Sequence, residues 1–264
     1  MTIQECISDF LIDQQVKGNS MVTVLDYSRF LSYFERFQSA KSQNMASVTV
    51  SDCRAYYLYL SSKNVTSVTV QTYIRALRAF LSWCYDEGHI SEDISARFKL
   101  PKAKRIAIDV LTDAEIVRLF DCLKGRDFLS TRNYCIVALM LGSGLRLNEV
   151  VTLRSDKIHI AEGYIIVNGK GNKERFVPVG LTCRKALLKY CAHLPKRELE
   201  TPLFVKDDLT PIKQNTVKQM FRKLKVSSDI PRLHPHLLRH TFATRYLEAG
   251  GDIYSLQSIL GHTS

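Results

Sequence analysis

One stretch of this 264-residue chain, "GYIIVNGKGNKERFVPV" (residues 163–179), is its single strong strand signal. Two β-rich runs, Tyr164–Val167 and Arg175–Val179, flank a polar turn containing Asn168-Gly169, which is the pattern of a hairpin. A lone hairpin cannot organise a sheet-built architecture. The expected fold is therefore mainly α with a small β-hairpin or sheet.

The remainder reads at helical spacing. Val24, Tyr27, Phe30, Leu31 and Phe34 form one apolar face, and "SDCRAYYLYLSSK" predicts a second helix capped by Ser51. In "SVTVQTYIRALRAFLSWCYDEGHI", Val70, Ile74, Leu77, Leu81 and Cys84 make a core stripe that ends before Gly88. The opposite face aligns Gln71, Arg75, Arg78 and Ser82. Such a stripe is usually solvated, but two arginines, an amide and no acid suit contact with nucleic acid.

A basic stretch, "FKLPKAKRIAIDV", breaks the periodicity at Pro101 and reads as a linker. A capping box from Thr112 to Glu115 then opens a new helix. The predicted organisation is a helical domain over 1–100, a linker over 101–110 and a second domain over 111–264. In the second domain, "TRNYCIVALMLGSGL" is an apolar helix and "LNEVVTLRSDKIHI" continues from it. Further helices are predicted over 182–193, 213–226, 236–248 and 253–260, the last capped by Asp252.

Charge separates the two parts. Residues 1–100 hold 10 Lys+Arg and 10 Asp+Glu, so the whole net charge of +11 belongs to the rest. That asymmetry suggests a polyanionic partner. Seven scattered cysteines without a C-x-x-C pair argue against a disulfide framework and a zinc ribbon, and read as buried thiols in a reducing cytoplasm. The N-terminus lacks the features of a signal peptide, and no apolar run approaches a membrane span.

Several positions carry chemistry. His236 and Arg239, three apart on a helix, share a face. Arg offers paired donors to phosphate oxygens, and His can move a proton near neutral pH. His236 and His240 also resemble half a zinc site, which the missing H-E-x-x-H glutamate and the adjacent Arg239 disfavour. Arg146 follows a Gly-Ser-Gly break that matches neither a P-loop nor a nucleophile elbow, and Glu149 can hold it in place. Lys170 at the hairpin tip is either a solvated surface lysine or, against a DNA phosphate, a proton donor to a departing alkoxide.

In their order and spacing, Arg146, Lys170, His236-x-x-Arg239 and Gly261-His262 resemble the tyrosine recombinase (phage integrase) family. They are most similar to its Xer-like and transposon-encoded members. "GLRLNEVVTL", "GKGNKERFVPV", "PHLLRHTFAT" and "LGHTS" each look like a family signature. The first hundred residues resemble more loosely the family's helical core-binding domain. The resemblance implies a two-domain DNA clamp in which a core-binding (SAM-like) domain joins a mixed α/β catalytic domain.

Residue by residue, the resemblance implies that Arg146 and Arg239 bind the scissile phosphate and stabilise its transition state. Lys170 would protonate the 5′-hydroxyl leaving group, and His236 would act as base or orient the nucleophile. His262 would hydrogen-bond the phosphate, with Glu149 behind Arg146. It implies cleavage and rejoining through a 3′-phosphotyrosyl link, with no metal, nucleotide or other cofactor. The partners implied are a double-stranded recombination site and a self-assembled tetramer on DNA. The family's nucleophilic tyrosine lies about nine residues beyond the position of His262, and this sequence ends at Ser264. As written, the chain is expected to bind DNA but not to form the covalent link. A non-catalytic protein occupying a recombination site is the alternative reading, and a histidine-ligated metallohydrolase is a remote third.

Overall fold

The computed structural model describes residues 1–98, 109–169, 174–195, 198 and 200–261. Lys170, His262 and most of the predicted linker lie outside the described residues. The chain divides into two compact units, Met1–Ile106 and Ala107–Ser264.

The first unit is helical: α1 (Ile3–Val16), α2 (Met21–Ser39), α3 (Val50–Ser62), α4 (Ser67–Asp86) and the short α5 (Ile94–Arg97). Its core is aromatic. The Phe10 ring meets Tyr27, Phe80 and Trp83 edge-on at 5.2–5.6 Å, and Phe34 meets Tyr56 in the same way at 5.2 Å. α4 is the central element. Ala76, Phe80 and Trp83 are buried along with the predicted stripe, so its apolar face is wider than one row. α3 is capped by Thr49 rather than Ser51. Asp52 sits three residues after Thr49, so hydroxyl and carboxylate satisfy each other's backbone N–H groups.

The second unit is built around α7 (Phe128–Ser143), whose residues Cys135–Met140 are all buried. A helix apolar on every side belongs inside a core. Each such Leu, Ile or Met contributes roughly 1.5–3 kcal/mol relative to exposure. α9 (Leu181–Cys191) and α11 (Pro235–Glu248) pack on α7. Around them lie α6 (Asp113–Asp121), α8 (Leu147–Thr152), α10 (Gln214–Ser227) and α12 (Ile253–Leu260). Arg232 anchors α6 by donating both Nη groups to Glu115, at 2.6 and 2.8 Å. Those bonds hold the Glu115 carboxyl down at about 2.

The hairpin is part of a three-stranded antiparallel sheet ordered β1 (Ile158–His159), β2 (Tyr164–Asn168), β3 (Glu174–Pro178). Ile165 pairs with Val177 and Val167 with Arg175. β1 corrects the expectation that the helix after Gly144 runs on through "KIHI". α8 stops at Thr152, and a 3-10 turn leads into the two-residue strand. Five cysteines are buried, but Cys122 is exposed and Cys191 half-buried, which corrects the reading of all seven as buried thiols. Among the described residues, no helix is long and apolar enough to cross a membrane.

Candidate functional site: a guanidinium cluster at the end of α12

The site begins with a glycine. α7 ends at Gly144, whose φ of +64° lies in the left-handed region. A Cβ there would sit 2.5 Å from the Phe242 ring and 2.8 Å from Leu260, so only glycine lets α11 and α12 close on this turn. Two residues later, Arg146 caps α8.

Glu149, in the first turn of α8, is 3% exposed and binds two arginines. Arg146 donates to it from its backbone N and from Nη1, both at 2.8 Å. Arg175 of β3 donates from Nη1 and Nη2, both at 2.9 Å. Burial alone would raise the Glu149 pKa. The bonds from Arg175 and Arg146 outweigh it and hold the carboxyl below its ordinary value.

The end of α12 supplies the second half of the site. Its last carbonyls have no partner within the helix, and three arginines take them in succession. Arg175 Nε donates to Ile259 at 2.7 Å, Arg239 Nη2 to Leu260 at 2.7 Å, and Arg146 Nη2 to Gly261 at 3.2 Å. The negative end of the α12 dipole favours cations at this place. Arg239 also donates from Nη1 to Gly144 at 2.6 Å, which joins the ends of α7 and α12. Burial, and then the charge of Arg146, lower the Arg239 pKa to about 10, so it stays a cation at neutral pH.

Three guanidiniums thus face one carboxylate, which leaves an excess of two positive charges. Arg146 is the member that reaches solvent, with its side chain 31% exposed. Among the described residues it uses two of its five donors for side-chain bonds. The arrangement suits a bidentate anion such as a phosphodiester.

The structure brings Arg146, Glu149 and Arg239 together. His236 lies on the exposed side of the first turn of α11. Partial burial lowers its pKa, and the charges of His234, His240, Arg239 and Arg146 lower it further. It is therefore neutral at pH 7 and able to accept a proton. Of the predicted DNA-facing residues in the first unit, Arg75 is exposed, whereas Gln71 and Arg78 are half-buried. Arg78 is also structural, donating from Nε to the Ser95 carbonyl at 3.2 Å. Among the described residues, no three His, Cys, Asp or Glu side chains gather in a metal-binding set.

Sequence reasoning missed Arg175. The signal was its strand register: alternation places Arg175 on the same face as buried Val177, whereas Phe176 between them is 67% exposed. A charge on the inward face of a strand needs an inward partner, and Glu149 is that partner.

Residues 109–264 match the phage integrase family, and residues 6–100 match the phage integrase SAM-like domain. The tyrosine recombinase XerD of Halalkalibacterium halodurans is 30% identical over 99% of this chain and 90% of its own length. The tyrosine recombinase XerC of Thermodesulfovibrio yellowstonii is 32% identical over 94% and 84%. Among solved structures, the Tn1549 transposon integrase in complex with a circular intermediate DNA superposes with a TM-score of 0.81. It is 21% identical, over all of this chain and 92% of that one. A lambda integrase dimer bound to a core site superposes with a TM-score of 0.80 at 18% identity, over 100% and 93%. The chain belongs to the phage integrase family, the tyrosine recombinases, which cleave and rejoin DNA at specific sites.

Proposed function

We propose that Arg146 and Arg239 hold the scissile phosphodiester of a double-stranded recombination site and stabilise its pentacoordinate transition state. The observation that carries this reading is the excess of two cations gathered at the end of α12, with Arg146 open to solvent. A tyrosine oxygen attacks phosphorus, the P–O5′ bond breaks, and a 3′-phosphotyrosyl link conserves the bond energy for rejoining. The leaving 5′-oxygen needs a proton, which Lys170 supplies. Neutral His236 accepts or orients the tyrosine proton, and His262 donates to a phosphate oxygen. Glu149 keeps Arg146 in place.

In this reading residues 1–100 are the core-binding domain and 111–264 the catalytic domain. Arg75, with Gln71 and Arg78 on the same helix, meets DNA. The protein works in the cytoplasm and assembles as a tetramer on two DNA sites. The lambda integrase, solved as a tetramer on a Holliday junction, supports that assembly by analogy of fold.

Binding of a polyanion by such a surface releases counterions. If six or more phosphates are neutralised, log Kobs should fall against log[salt] with a slope of about −5 or steeper. Titrating a duplex selected from a random pool at several salt concentrations measures it. A flat dependence would rule out the phosphate-based reading.

A further inference from the structure

We infer that Arg175 is the positioning residue of the phosphate site, an inference that rests on the phosphate role proposed above for Arg146 and Arg239. All three of its guanidinium nitrogens are committed inside the protein: Nη1 and Nη2 to the two oxygens of Glu149, and Nε to the Ile259 carbonyl. Its side chain is only 12% exposed. It does not touch substrate, and it acts through its neighbours.

Those neighbours are the supports of the reacting groups. Through Glu149, Arg175 sets the height and rotation of Arg146. Through Ile259, it holds the last turn of α12, whose next two carbonyls orient Arg239 and Arg146. It also lies in β3, in register with Val167 of β2. The backbone closes directly over it. Gly261 has φ +62°, and a Cβ there would lie 3.0–3.1 Å from the Arg175 side chain. One planar fork therefore ties β3, α8 and α12 together. A lysine could neutralise Glu149, but a single ammonium cannot reproduce two parallel bonds to the carboxylate together with a third to Ile259.

The test uses the 264-residue chain and a duplex it selects from a random pool. Neutral methylphosphonate replaces each phosphate of the site in turn, and affinity is measured at each position. For the unmodified sequence, one link per half-site should show a penalty of roughly tenfold or more, because it loses the charge-assisted contacts of Arg146 and Arg239. Arg175→Lys should reduce the penalty at that link to below about twofold and leave the other links unchanged. Arg146→Met is the positive control and should erase the same link. The pair Glu149→Gln/Arg175→Met removes both charges together, guards against misfolding and should behave like Arg175→Lys.

If Arg175→Lys keeps the full penalty, the geometric role is wrong and charge alone suffices. If it weakens every link equally, Arg175 is merely structural. If the unmodified chain shows no privileged link, the phosphate role of Arg146 and Arg239 fails, and the inference falls with it.

Discussion

Glu149→Ala should destabilise the second unit by about 3–5 kcal/mol, the usual consequence of breaking a buried ion pair and leaving charge uncompensated. Removal of this carboxylate leaves Arg146 and Arg175 facing each other and Arg239, with only carbonyl dipoles to offset them. The two units provide an internal control. The sole tryptophan, Trp83, lies in the core of the first unit. In urea, the circular-dichroism transition of the second unit should shift to lower denaturant while the Trp83 fluorescence transition stays in place. An unshifted second transition would show that the carboxylate does not hold the cluster. The pH dependence follows from the sign of the shift. The folded pKa of Glu149 is depressed, so its contribution is complete above the unfolded value of about 4.3 and is lost as pH falls through the folded value. The gap between variant and unmodified chain should therefore close in acid.

Arg239→Lys should slow strand cleavage by about 10²–10³-fold, the scale found when one preorganised donor is withdrawn from a developing anion. The guanidinium is 6% exposed and spans two helix ends, from Gly144 to Leu260. An ammonium keeps the charge but cannot reach both carbonyls and still present a fork to phosphate. Ground-state DNA affinity should fall much less, because many other cations contribute to binding. Single-turnover cleavage of a nicked duplex by the native protein separates the two effects. Equal losses in binding and in rate would assign Arg239 to uniform binding rather than to the transition state.

The sequence made local features legible. The apolar α7, the α4 stripe, the hairpin and the caps at Thr112 and Asp252 all follow from spacing within one element. The three-residue step from Arg146 to Glu149 was readable for the same reason. β1 was not, because two residues are too few to show alternation and "KIHI" also suits a helix end. Arg239 could be singled out, but its burial between Gly144 and Leu260 joins residues 95 and 21 positions away and has no local signature. Arg175 looked like one more charge beside a polar turn. Only its pairing with Glu149, 26 residues earlier, gives it a role.

Strand transfer by a tyrosine at this arginine cluster is open to one decisive test. Covalent capture by the native protein on a selected duplex nicked beside the scissile link is that test. A protein–DNA adduct that survives boiling in detergent and disappears with Arg146→Met is the expected result. Tight, salt-sensitive binding without any adduct would contradict it and leave a protein that occupies the site without cutting.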